Sequence, residues 1–163
     1  MTATGADTGT GPTEDAALFE VIREVFNDKI PFNKVLGLQV AAISYERVKI
    51  IFAMRHELIG NYMRGTLHGG VISSVIDVTG GLAAFMGIQR KMADKGLEAK
   101  LARFGRLGTI DLRVDYLRPG TGRSFACTGY SLRTGNKVAV TRIELINDRQ
   151  ELIAVGTGSY VVA

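Results

Sequence analysis

The sequence predicts an α+β fold in which an antiparallel sheet wraps around one long central helix, with a second helix at the N-terminus. Three observations carry this. Residues 68 to about 92 are apolar nearly all the way round, from Val71, Ile72, Val75 and Ile76 through Leu82, Phe85, Met86 and Ile88, and a helix without a polar face belongs in a core. The last third of the chain, from about residue 109, reads as strands separated by turn signals, opening on a period-two alternation. A lone hydrophobic helix among antiparallel strands has to be covered by them on most sides. The side left open suits pairing with another subunit.

Each element has its own signal. Residues 1–13 are mostly Thr, Gly, Ala and Asp; they have nothing to bury and are expected to form a disordered tail, leaving one domain over 14–163. Thr13 is placed as an N-cap, with Glu14 and Asp15 in a first turn that favours acids. Leu18, Val21, Ile22, Val25 and Phe26 then recur at three and four, an amphipathic helix ending near Lys29-Ile30-Pro31. From Leu36 to Ala53 the chain reads as two strands. In the second, Val48, Ile50 and Phe52 alternate with Lys49, Ile51 and Ala53, giving one wetter face. Glu57 to Thr66 is expected to be a connecting loop.

Behind the central helix, Gln89 to Arg106 carries six basic residues. It reads either as a solvated helix end and loop or as a basic rim near an anionic ligand. Thr109, Asp111, Arg113 and Asp115 alternate with Ile110, Leu112, Val114 and Tyr116 until Arg118-Pro119-Gly120 breaks the strand. Further strands follow at 123–133, Val138–Ile146 and Glu151–Val162, with Thr134-Gly135-Asn136-Lys137 as a hairpin turn.

Composition narrows the function. The chain has 163 residues, 46% apolar and 22% charged, which fits one soluble globular domain. A net charge of +4 favours an anionic ligand without requiring one. There is no basic stripe interleaved with aromatics, so nucleic acid is not an expected partner. The single cysteine, Cys127, rules out an internal disulfide and points to a reducing, cytoplasmic compartment; it reads as a small core residue. Met1 to Asp15 has neither the basic region nor the apolar run of a signal peptide. The strongly apolar stretch Val78–Ile88 holds three glycines and is too short to span a bilayer. His56 and His68 do not form a metal-ligand pattern, and there is no Gly-x-Ser-x-Gly elbow.

The chemistry concentrates on the central helix. The first backbone N–H groups of a helix lack internal partners, and with the helix dipole they favour a negative or developing negative oxygen. Gly69 and Gly70 would let a ligand approach that backbone closely; alternatively, they and His68 only shape a tight turn. Asp77 is the other exception. A carboxylate on an apolar helix needs a reason, whether capping a loop, pairing with an arginine or acting as a base. Eight residues separate Gly69 from Asp77, about 12 Å along a helix axis. One carbonyl group does not reach both, so a shared reacting centre implies two chains, each contributing half of two sites.

The segment Asn61 to Asp77, with Gly-Thr-Leu-His-Gly-Gly-Val-Ile-Ser-Ser-Val-Ile-Asp as its core, resembles the hotdog-fold thioesterase superfamily, in particular its PaaI-type branch with the YigI-like members. The strand Thr109–Pro119 and the Pro31-Phe32…Leu36-Gly37 pattern, matched to the branch's first strand, extend the likeness over about residues 30–162. The resemblance implies that the Gly69 N–H polarises a thioester carbonyl. Asp77 of the facing subunit acts as general base or nucleophile. Asn61 positions the water or acyl group, Thr109 assists the acid, and His68 mainly fixes the turn. It places coenzyme A along Gly70, Tyr116, Arg118 and the hairpin Arg133, Gly135, Asn136 and Lys137, whose free turn amides suit phosphates. Two features depart from the branch: Asn61 stands one residue farther from His68 than in some members, and the basic stretch after the central helix is an insertion.

The expectation is an acyl-CoA thioesterase acting on medium- or long-chain fatty or aromatic acyl groups. It needs no metal and no cofactor beyond the coenzyme A of its substrate, and it works as a homodimer or as a tetramer made of two dimers. A hydratase or dehydratase on the same fold would need an acid–base pair at the α-carbon, usually with a histidine. A non-catalytic acyl-CoA-binding module is the third reading, because fold does not fix function.

Overall fold

The structure, a computed structural model, describes residues 12–163; the expected tail lies almost wholly outside them. Helix α1 (Pro12–Glu24) runs on through a π turn at Val25–Lys29. It opens at Pro12, so Thr13 falls inside the first turn rather than at the cap. Leu18, Ile22 and Phe26 face the core and are buried, as the three-and-four spacing requires. Pro31–Leu36 is helix α2, where the resemblance implied a strand. Proline at the first helical position and Gly37 closing the helix at φ 70 explain the difference.

Strands β1 (Gln39–Ile43) and β2 (Val48–Ala53) follow. In β2 the buried residues are Val48, Ile50 and Phe52, the predicted alternation. The expected loop contains a short hairpin, β3 (Ile59–Asn61) with β4 (Thr66–Leu67). Helix α3 spans Gly69–Arg90. The basic segment folds as helix α4 (Leu97–Ala102) and a 3₁₀ turn at Arg103–Arg106. The chain ends in β5 (Gly108–Tyr116), β6 (Ser124–Thr134), β7 (Val138–Asn147) and β8 (Leu152–Val161). The six long strands form one sheet in the order β1-β2-β6-β7-β8-β5, with every neighbouring pair antiparallel.

This sheet curls around α3. From Thr79 to Gln89 every helix residue is buried, so the second half of α3 has no free side. In its first half Gly70, Ser73, Ser74 and Asp77 stay partly open. Spaced at three and four, they form one stripe on one face. The helix is long and apolar enough to cross a membrane, but most of it is buried inside the protein. Cys127 faces it from β6, fully buried.

After α3, Arg90 to Gly96 is largely the solvated helix end and turn that one reading expects, and only beyond it does the basic segment turn inward. Leu97, Leu101 and Phe104 lie against the core. Lys100 is buried, its ammonium 3.9 Å from the Asp15 carboxylate of α1, which also accepts a hydrogen bond from Tyr45. Gln89 Nε2 donates to the Lys100 carbonyl at 3.1 Å. These contacts pin α4 onto α1 and α3.

Candidate active site

The start of α3 separates the roles of its two glycines. His68 caps the helix by accepting the Gly70 N–H on Nδ1 at 2.8 Å, which puts the proton of a neutral imidazole on Nε2. Its own N–H donates to Leu58 O at 2.8 Å, while its carbonyl takes Val71 and Ile72 N–H. The Gly69 N–H has no hydrogen-bond acceptor among the described residues. The donor suited to a developing oxyanion is therefore that of Gly69 alone, with Gly70 spent on the cap. Tyr116 lies beside it, its hydroxyl donating to Gly69 O at 3.1 Å.

Asp77 is held from two strands. Thr109 Oγ1 donates to Asp77 Oδ1 at 2.9 Å. The Tyr160 hydroxyl lies 3.1 Å from Asp77 O and 3.3 Å from Oδ1, and Oδ2 has no hydrogen-bond partner among the described residues. Thr109 and Tyr160 are directly opposite each other in the β5–β8 pair. A bulge between Thr109 and Asp111 makes this possible. Strict alternation would have put Thr109 on the face of Asp111 and Arg113; the extra residue, Ile110, turns it to the inner face with Leu112 and Val114. Burial, and after it the negative charge of Asp77, push the Tyr160 hydroxyl pKa well above its ordinary range, opposed by the nearby Thr141 hydroxyl. Tyr160 therefore stays protonated and remains a donor.

Tyr160 did not stand out in the sequence. Its slot is made by glycines: a side chain at Gly80 would place Cβ 2.2 Å from the Tyr160 hydroxyl, and one at Gly158 would sit 2.6 Å from the ring. Gly158 precedes Tyr160 by two residues on the same face of β8, but Gly80 meets the ring across the helix–sheet contact, which becomes visible only once α3 is packed on the sheet.

Asp77, Thr109 and Tyr160 open onto a cleft of about 200 Å³ whose walls include Phe26, Ile30, Phe32, Val78, Phe104 and Leu107. It is an apolar slot with a carboxylate on its wall. The segment after α3 supplies Phe104 and so forms part of the cleft wall. A larger hollow of about 420 Å³ lies elsewhere, against β2 and β6. Its one titratable side chain, Asp148, is tied to Arg123, and it shares no residue with the Asp77 cleft.

The other predicted residues scatter. Asn61 lies on β3 and caps its turn, Oδ1 accepting Met63 and Arg64 N–H at 3.1 and 3.2 Å. Arg118 Nη1 donates to Leu152 O at 2.9 Å, so part of its guanidinium is already engaged. Arg133, Gly135, Asn136 and Lys137 sit at the β6–β7 hairpin, beside the far end of α3: Lys91 there bonds Thr134 O. Eighteen residues of helix separate Gly69 from Gly87, which faces Thr134, roughly 27 Å. Within one chain the hairpin and the Gly69–Tyr116–Arg118 region do not meet. The Gly135 amide, expected to be free, donates to Val138 O at 2.8 Å.

A model of the thioesterase superfamily matches residues 64–154, more than half of the chain and the whole stretch from the α3 turn to β8. This chain belongs to the thioesterase superfamily. It is 41% identical over 150 residues to the medium/long-chain acyl-CoA thioesterase YigI of Escherichia coli K12, covering 92% of this chain and 96% of the relative. The crystal structure of a Shewanella oneidensis protein related to the same superfamily superposes with a TM-score of 0.89 at 44% identity, over 94% of this chain and 100% of that one. A candidate thioesterase from Syntrophus aciditrophicus superposes at 0.84 with 60% identity, over 93% and 99%. The superfamily's hotdog architecture is the sheet-wrapped helix described above.

Proposed function

We propose that this member of the superfamily hydrolyses acyl-CoA thioesters of medium or long acyl chain at sites shared between two subunits. The observation that carries the reading is Asp77: a half-buried carboxylate oriented through one oxygen by Thr109 and Tyr160, with the other oxygen free, on the wall of an apolar cleft. In this mechanism the free oxygen takes a proton from water as the water attacks the thioester carbonyl carbon. The resulting oxyanion accepts the Gly69 N–H of the facing subunit. The C–S bond then breaks, and the proton passes from Asp77 to the departing thiolate. The acyl chain lies in the cleft, and its apolar walls favour fatty over polar acyl groups. The medium/long-chain range follows YigI.

The open stripe of Gly70, Ser73, Ser74 and Asp77 supports a homodimer, because it leaves the reacting face of α3 uncovered by its own sheet. With Nδ1 accepting the Gly70 N–H, the neutral His68 ring carries its proton on Nε2 and offers no free nitrogen as a base, which favours hydrolysis over a hydratase that relies on a histidine base. A buried, unpaired Cys127 accords with a cytoplasmic location. The test is thiol release from an acyl-CoA panel, run beside Asp77→Asn. The expected result is turnover by the native protein and a loss of about 10²–10⁴-fold in the variant. Absence of thiol release from every chain length would remove the thioesterase reading. Equal rates in the variant would leave the activity and remove Asp77 from its role.

A further inference from the structure

The Asp77 cleft does not end at its aromatic wall. Across it lies a second, partly open hollow of about 140 Å³, lined by Val21, Ile22, Val25, Phe85 and Leu101 and almost wholly apolar. Phe26 and Phe104 line both spaces. Their rings meet edge to face with centroids 5.7 Å apart, so this single pair is the partition. Resting on the reading that the cleft holds the acyl chain, the geometry points to Phe26 and Phe104 as a gate that sets acyl length.

The two sides of the gate are built differently. Phe26 is buried on the π turn that closes α1. Phe104 is only half-buried, on a 3₁₀ turn, and a Cβ on Gly105 after it would meet nothing within 4 Å. Its ring also packs edge to face on Phe85 at 5.7 Å, a residue that lines the second cavity. A swing of the Phe104 ring is therefore the simplest way to join the spaces. A dry apolar cavity of about 150 Å³ holds benzene, roughly 25 Å³ per carbon. On that scale the first cleft takes roughly eight acyl carbons, and the joined space roughly fourteen. A methylene that finds apolar cover contributes roughly a fourfold preference. Chains longer than the first cleft gain that preference only with the gate open.

The test compares kcat/KM for octanoyl-CoA and tetradecanoyl-CoA in the full-length protein. Phe104→Ala opens the partition and is expected to raise the long-to-short ratio at least tenfold. Val21→Phe fills the second cavity without touching the partition and is expected to lower it at least tenfold. Phe104→Leu gives a smaller shift in the first direction and serves if the alanine variant does not fold. The same ratio is read from equilibrium binding of both esters to Asp77→Asn versions, so the gate is judged even where turnover is absent. Opposite shifts in the two kinds of variant support the gate. An unchanged ratio in both, with all chain lengths rising or falling together, overturns it and leaves the hydrolysis reading intact.

Discussion

Replacing Gly69 by alanine separates architecture from chemistry more sharply than any other single change. An alanine Cβ at Gly69 would have its nearest neighbour, the Tyr116 ring, at 3.6 Å, ordinary contact distance, and the backbone there has no left-handed φ. Nothing among the described residues requires glycine at this position, and at the first residue of a helix the interior preference for alanine over glycine has little weight either way. Gly70 is the opposite case: its Cβ would stand 2.9 Å from His68 Nδ1 and break the cap. Gly69→Ala should therefore melt within a few degrees of the native protein, whereas Gly70→Ala should lose about 0.5–2 kcal/mol with its cap. Activity should follow a different order. A methyl group beside the one unengaged N–H keeps a carbonyl oxygen from seating on it, and losing one oxyanion donor costs about 10²–10³ in kcat. Thiol-release kinetics and thermal melts on the same preparations are the assay.

The same variant tests whether the site is shared. In a dimer of Gly69→Ala with Asp77→Asn subunits, one site carries both lesions and the other carries neither. Random reassembly of equal amounts makes half the dimers mixed, so the mixture should recover about a quarter of native activity although each parent is nearly inactive. A site contained in one chain predicts no recovery on mixing. Gly69→Ala within threefold of native activity would refute the oxyanion assignment. Loss of activity in step with loss of folded protein would refute it too.

Two further outcomes follow from the geometry around Asp77 and Cys127. Tyr160→Phe removes a hydrogen bond to a carboxylate; at 3.3 Å, and shared with the Asp77 carbonyl, it belongs at the weak end of the charged range, about 1.5 kcal/mol. Steady-state kinetics should show kcat down about tenfold with KM little changed, and an unchanged kcat would mean that Thr109 suffices. The Cys127 thiol is pushed up to about 12 by burial, so at neutral pH it stays protonated and should resist a disulfide thiol reagent until the protein is unfolded in denaturant; rapid labelling of the folded protein would contradict its packing.

What the sequence made legible and what it hid divide along one physical line. Periodicity and helix-start chemistry are local, and they located α1, α3 and the six long strands, and marked Gly69 and Asp77 as the two exceptional positions of α3. Helix α2 carried a local signal as well, proline at its start and glycine just past its end, but the family likeness to a strand outweighed it. In the segment after α3, Leu97, Leu101 and Phe104 recur at four and three, a half-buried face obscured by the surrounding lysines and arginines. The support of Asp77 is not local at all. Thr109 pointed the wrong way under strict alternation, and only the bulge at Ile110, fixed by pairing with β8, turns it inward opposite Tyr160. Tyr160 in turn fits because Gly80 and Gly158, on different elements, leave room for its ring. A carboxylate positioned by two strands across a helix is a property of register, and register is set by the closed sheet. This gives Gly80 a definite role. Its replacement by alanine would displace the Tyr160 ring without touching Asp77 directly, and any loss of activity would then pass through the tyrosine. Gly80→Ala should accordingly add nothing to the kinetic defect of Tyr160→Phe when the two are combined, whereas independent effects would multiply.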